Sequence, residues 1–149
     1  MTRTSLLTTP QDLERAFYQA LEQANLETMM ALWSEDDEIV CVFPGGGRLC
    51  GYADIRAAWQ RLFESGTRVR IHLSHSCVIQ NPFTVIHNVV EHITPANQTE
   101  ARGPVLATNV YVRGPTGWRI VVHHCSTLAR TETEAGARAA IRPHSKTLH

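Results

Sequence analysis

The densest set of reactive side chains in this 149-residue chain lies in Trp118-Arg119-Ile120-Val121-Val122-His123-His124-Cys125-Ser126. Imidazole moves protons near neutral pH, and a deprotonated thiol serves as nucleophile or metal ligand. The stretch is apolar, β-branched and preceded by Gly117, which predicts a strand. Successive strand side chains point to opposite faces. Val121, His123 and Cys125 therefore share one face, and Ile120, Val122 and His124 the other. That alternation separates the two histidines and disfavours a metal held between them. Both faces are apolar enough to need cover, so this strand belongs inside a layered structure.

The bulk properties bound what surrounds it. The length suits one domain with its own core. Lys+Arg and Asp+Glu are 14 each, and no basic stripe stands out, which argues against nucleic acid as the main partner. No apolar run is long enough to cross a bilayer, and the first ten residues lack a signal peptide's apolar segment. The expected location is the cytoplasm, with no membrane partner. Cys41, Cys50, Cys77 and Cys125 have no CxxC or zinc-type spacing and are read as free thiols.

In chain order, residues 1–9 read as an N-terminal arm. Thr9-Pro10-Gln11-Asp12 starts a helix, and Leu13, Phe17, Ala20, Leu21 and Ala24 give it one apolar face. Asn25 is expected to close it and to cap a second short helix bearing Leu26, Met29, Met30 and Trp33. The acidic run Glu35 to Glu38 is a solvated turn. Ile39 to Phe43 predicts a strand, Pro44 to Gly47 a turn, and Arg48 to Cys50 a short return strand. That turn is no phosphate loop, because no GK[ST] follows. Tyr52 to Glu64 predicts a third helix with Ile55, Ala58, Trp59, Leu62 and Phe63 on one face. Long strands are then expected at 68–80, 83–94, 105–113 and through the opening stretch. His72 and His75 read as surface or rim residues. Residues 129–149 read as a loose tail.

This order of elements resembles the nuclear-transport-factor-2-like superfamily, and within it the SnoaL-like group. The residues that carry the likeness are Asn25-Leu26-Glu27, the acidic turn, Phe43-Pro44, Gly51 before the third helix, and Gly117-Trp118-Arg119-Ile120-Val121. The last strand also resembles the kinase II association domain. The likeness spans about residues 10–128. It implies an α+β fold in which three N-terminal helices pack on the concave face of a strongly bent, mostly antiparallel sheet, a cone with an internal pocket. It also implies a homodimer through the convex face.

Strand parity carried over from that resemblance places His87, Val89, Glu91, Asn109, Tyr111, Val121, His123 and Cys125 inward. Ile86, Val90, His92, Val110, Val112, Ile120, Val122 and His124 then face outward. Phe17, Trp33, Phe43 and Trp59 would close the pocket. The association domain's pocket arginines correspond to Glu91, Asn109 and Cys125, so no anion role transfers. Ketosteroid isomerase chemistry does not transfer either, because Phe43 stands where that enzyme has its catalytic aspartate. Tyr18 lies near the place of its tyrosine donor, but Phe17 holds the apolar-face position.

The polar centre is expected to be His123, Glu91 and Asn109, with Tyr111 beside them and His87 and Cys125 also lining the pocket. If the last hairpin pairs Arg113 with Arg119, Asn109 lies opposite His123, where side chains meet. His123 would be the general acid/base, Glu91 would orient it, and Asn109 would hold a substrate oxygen. A satisfied buried network without ligand fits the same residues. Inward His87, Glu91 and His123 make a metal set geometrically possible, but no metal and no cofactor is expected. Cys125 reads as a packed thiol, since no oriented base is apparent. Two functions remain open. One is a protein that binds a small hydrophobic molecule and catalyses proton transfer, elimination or cyclisation on it. The other is a non-catalytic binding or assembly domain.

Overall fold

The structure, a computed structural model, describes residues 7–128. The tail expectation for 129–149 and most of the arm lie outside those residues. Among the described residues, three helices, α1 (Pro10–Gln23), α2 (Leu26–Ala31) and α3 (Tyr52–Glu64), accompany six strands. The strands are β1 (Val40–Val42), β2 (Arg48–Cys50), β3 (Val69–Asn81), β4 (Thr84–Pro95), β5 (Val105–Gly114) and β6 (Gly117–Thr127). They form one sheet in the order β2-β1-β6-β5-β4-β3. Every pairing is antiparallel except β1 with β6. The class is α+β, as the sequence implies.

The helix starts follow their side chains. Thr9 accepts a hydrogen bond from the Asp12 amide at 3.0 Å, and Asn25 accepts one from the Thr28 amide at 3.1 Å. These satisfy first-turn amides that have no partner within the helix. Asn25 does not close α1, however. Ala24 takes the left-handed position there, at φ 53°. The core joins the apolar face of α1 (Leu13, Phe17, Ala20) to Met29, Met30, Trp33, Ile55 and Trp59, and to Tyr111 and Ile120 of the sheet. The end of the arm is docked: Leu7 is buried, and its carbonyl accepts from the Trp118 amide at 3.0 Å.

Two register shifts decide which side chains face the core. In β5–β6 the hairpin pairs Arg113 with Trp118 rather than Arg119, and Tyr111 with Ile120. Val110 pairs with Val122, so Val121 is an extra residue and the register is restored beyond it. Asn109 therefore lies opposite His123 as expected, but Ile120 does not face outward. It is 1% exposed within the core and donates its amide to the Leu32 carbonyl. In β3–β4 the shift falls between Ser74 and Cys77. His75 within it has φ 54°, an uncommon conformation for a residue with a side chain.

Candidate functional site

His123, Asn109 and Glu91 do come together, on the inward parity of β6, β5 and β4, and each is at most 3% exposed. His123 Nδ1 lies 2.6 Å from Asn109 Oδ1 and its Nε2 lies 3.2 Å from Cys125 Sγ. Asn109 Nδ2 donates to the Tyr18 hydroxyl at 3.0 Å, and that hydroxyl donates to Glu91 Oε2 at 2.6 Å. One proton arrangement satisfies every member when Glu91 is ionised. Cys125 S–H donates to His123 Nε2, Nδ1–H to Asn109, the amide N–H to Tyr18, and Tyr18 O–H to Glu91. Glu91 makes no hydrogen bond to His123, contrary to its expected orienting role. Asn109 and Tyr18 stand between them.

Burial sets the charges along this chain. Desolvation pushes Glu91 up to about 7, opposed by the hydrogen bond from Tyr18. Desolvation, with a smaller contribution from His124, holds His123 down to about 3, so the ring is neutral at pH 7. Tyr18 is held far above an ordinary phenol, by burial first and then by Glu91. The Cys125 thiol is likewise raised by burial. It is a protonated, packed thiol.

Three of the four aromatic residues expected to close the pocket gather around His123. Phe17 has its ring centroid 4.9 Å from the imidazole, Trp59 lies 6.1 Å from it, and Phe43 packs edge-on against Trp59 at 4.8 Å. Trp33 is buried elsewhere, in a bridge with Ile120. The space inside the sheet at His123 is filled by these rings.

The open volume lies to one side, between α1 and the β3–β4 end of the sheet. This cleft holds about 790 Å³. Its walls include Ile71, Leu73, Val85 and Val89 from the strands and Glu14, Tyr18 and Glu22 from α1. Of the sequence-predicted site residues, His87 and Tyr111 line it; Glu91, Asn109, His123 and Cys125 do not. Tyr18 connects the cleft to the buried chain.

A second polar set sits in the cleft wall. His87 Nδ1 lies 2.5 Å from Glu14 Oε1, an ion-pair distance without hydrogen-bond alignment. The other ring nitrogen of His87 contacts the Ser76 hydroxyl. Tyr111 donates to the same Glu14 oxygen at 3.3 Å. Glu22, one helical turn beyond Tyr18, accepts from the Ile71 amide at 2.7 Å and so ties down the edge strand β3.

Glu91, His123 and Cys125 also offer a carboxylate, an imidazole and a sulfur donor within 4.8 Å of one another. These replace the His87, Glu91, His123 set conceived from parity. Each donor is engaged: Glu91 by Tyr18, and His123 Nε2 and the thiol by each other. A metal there would displace those bonds and deprotonate a thiol that burial keeps neutral.

The sequence pattern marks neither Glu14 nor Ser76, and it sets Tyr18 aside because Phe17 holds the apolar-face position. Tyr18 and Glu14 sit on α1 beside the apolar stripe, and a buried carboxylate and imidazole in need of partners are the signal that points to them. Ser76 reaches the cleft because of a bulge that nothing in the alternation of β3 announces. The four cysteines are all free, as expected. Among the described residues, no helix is long and apolar enough to cross a membrane.

Known proteins share this fold. A candidate calcium/calmodulin-dependent protein kinase type II association domain from Thiobacillus denitrificans is 39% identical, superposes with a TM-score of 0.78, and matches over 83% of this chain and 98% of its own. A candidate dehydratase of the NTF2-like family from Streptomyces avermitilis is 27% identical, with a TM-score of 0.70 over 78% of this chain and 91% of its own. The F-box protein SKIP8 of Arabidopsis thaliana is 25% identical over 114 residues, 75% of this chain. The matched part is about half of that relative, 46% of its length. The family model for the SnoaL-like domain matches residues 11–130, helices and sheet together, and the chain belongs to that family.

Proposed function

We propose that this chain binds a small, largely apolar molecule in the cleft between α1 and β3–β4 and shifts a proton on it. The observation that carries the reading is Tyr18, which belongs both to the cleft wall and to the buried hydrogen-bonded chain. A molecule in the cleft would lie against Ile71, Leu73, Val85 and Val89, and burying apolar surface there supplies the affinity. Glu91, pushed up to about 7, can hold or give up a proton at neutral pH, which suits a general acid or base. Tyr18 relays between Glu91 and the cleft. Asn109 positions the phenol, and neutral His123 positions Asn109. Chemistry of this kind, proton transfer with elimination or cyclisation, needs no cofactor. It fits the cytoplasm, where four free thiols persist.

The test is binding and turnover of whatever small molecule copurifies with the protein, identified by mass spectrometry. Glu91→Gln removes the titrating group and should cut turnover by about 10²–10⁴-fold. Tyr18→Phe should do the same while leaving apolar contacts intact. Unchanged turnover in both variants, with circular dichroism intact, would take the network out of the reaction.

A second reading is a non-catalytic assembly domain. It is favoured by the filled interior around His123 and by the likeness to the candidate association domain. In this reading, as in the first, the outward Val110, Val112 and Val122 form a homodimer surface. A bound small molecule that is never converted would favour it.

A further inference from the structure

We propose that Ser76, His87 and Glu14 form a nucleophile relay, giving this chain a further activity: hydrolysis of esters of short apolar acids. The inference rests on the cleft as the ligand site but uses neither Tyr18 nor Glu91. The two nitrogens of one imidazole meet different partners. His87 Nε2 contacts the Ser76 hydroxyl, and Nδ1 lies 2.5 Å from Glu14 Oε1, at ion-pair distance though without hydrogen-bond alignment. A hydroxyl on one nitrogen and a carboxylate on the other is the arrangement that activates a serine: the carboxylate fixes the ring and supports its charged form, and the ring takes the hydroxyl proton. Tyr111 holds the Glu14 oxygen from its other side at 3.3 Å.

The backbone presents Ser76 to this site. Leu73 pairs with Glu91 and Val78 with His87, so both share the inward face. Ser74 pairs with Val90, on the outward face. Regular alternation would carry Ser76 outward with Ser74. The extra residue in the bulge, with His75 at φ 54°, turns Ser76 inward to the cleft. Bulges re-aim side chains in this way beside active sites, and backbone strain of this kind is held where the surroundings impose it. Ser76 is exposed while His87 is 5% exposed, so substrate can reach the nucleophile and the base is shielded. Ile71, Leu73 and Val89 line the same cleft and fit a short apolar acyl group. Gln11 and Gln19 add neutral hydrogen-bond donors to it.

The step balances with water as co-substrate. Ser76 Oγ attacks the ester carbonyl as its proton passes to His87 Nε2. The ester C–O bond breaks, and the alcohol leaves with that proton. Water, deprotonated by His87, attacks the acyl-serine, and the acid is released with Ser76 restored.

The experiment has two arms on the full chain. The first is incubation with phenylmethanesulfonyl fluoride, followed by peptide mapping, together with hydrolysis of 4-nitrophenyl butyrate. The expected result is one adduct, on Ser76, and hydrolysis lost in Ser76→Ala and reduced about 10²-fold or more in His87→Gln and Glu14→Gln. The second arm is calorimetric binding of 4-nitrophenyl butyl ether, which cannot be hydrolysed. No adduct on Ser76 with the ether still bound overturns the relay and leaves the cleft standing. No adduct and no ether binding overturns both. Equal hydrolysis by wild type and Ser76→Ala overturns the relay whatever the ether does.

Discussion

Glu91 and His123 are buried in one network, yet burial moves their titrations in opposite directions. Each prefers its neutral form, so Glu91 is raised to about 7 and His123 is lowered to about 3. The signs follow from proton uptake. Folded Glu91 keeps its proton where the unfolded chain, near 4.5, has lost it. Its contribution to stability is complete below pH 4.5 and is lost as pH rises to about 7. His123 does the reverse: its contribution is complete above 6.5 and is lost as pH falls toward 3. Glu91→Gln should therefore leave only the histidine slope. We expect urea melts of that variant to gain on wild type between pH 4.5 and 7, by on the order of 3 kcal/mol. A difference between the two proteins that stays constant over that range would mean Glu91 titrates normally. The same residues also mark what a sequence reveals. That Glu91, Asn109 and His123 share one face follows from parity, but Asn109 lies opposite His123 only because the extra Val121 offsets a hairpin register one residue from the expected one. That Tyr18 joins them does not follow, because a phenol beside an apolar stripe looks the same whether it faces solvent or a carboxylate.

At the scale of elements, α1 has two working faces. Leu13, Phe17 and Ala20 face the core, while Glu14, Tyr18 and Glu22, spaced four apart, face the cleft. The apolar face was legible in the sequence from its period. The second face was not, since charged residues at helical spacing ordinarily mark solvent. The strands divide similarly. Their order along the chain and the turn at Gly114 to Gly117 follow from alternation and turn residues, whereas the Asn109–His123 pair depends on the extra Val121 that offsets the Arg113–Trp118 register. The two bulges do not follow from either, because an extra residue leaves no mark in a pattern of branched aliphatics; hence Ile120 lies inside and Ser76 in the cleft. Gly117 carries a related constraint. It has φ 109°, and a Cβ there would come 2.6 Å from the Leu7 carbonyl oxygen, which anchors the arm. Gly117→Ala should cost about 1–3 kcal/mol from backbone strain and loss of the Trp118–Leu7 hydrogen bond. Faster exchange of the Trp118 amide would report it; wild-type exchange and stability would show that the arm shifts freely.

For the whole molecule, the helices cover one face of the sheet, and the outward Val110, Val112 and Val122 remain half-buried in the single chain. Water is a poor neighbour for such a surface, and a second copy is the simplest cover. Val122→Asp should place an unpaired charge in that contact and convert a dimer into monomers in sedimentation. A wild type that sediments as a monomer at micromolar concentration would mean that face stays wet.

The proposed ligand site is the cleft beside α1 rather than the filled interior at His123. That placement is tested most directly by methyl chemical-shift mapping as the copurifying molecule, or a panel of small aromatic and aliphatic probes, is added to ligand-free protein. The expected shifts centre on Ile71, Leu73, Val85 and Val89 and are reduced by Tyr18→Phe. Shifts centred instead on Leu49 and Leu62, which line a separate groove of about 490 Å³, or no shifts at all, would contradict that placement.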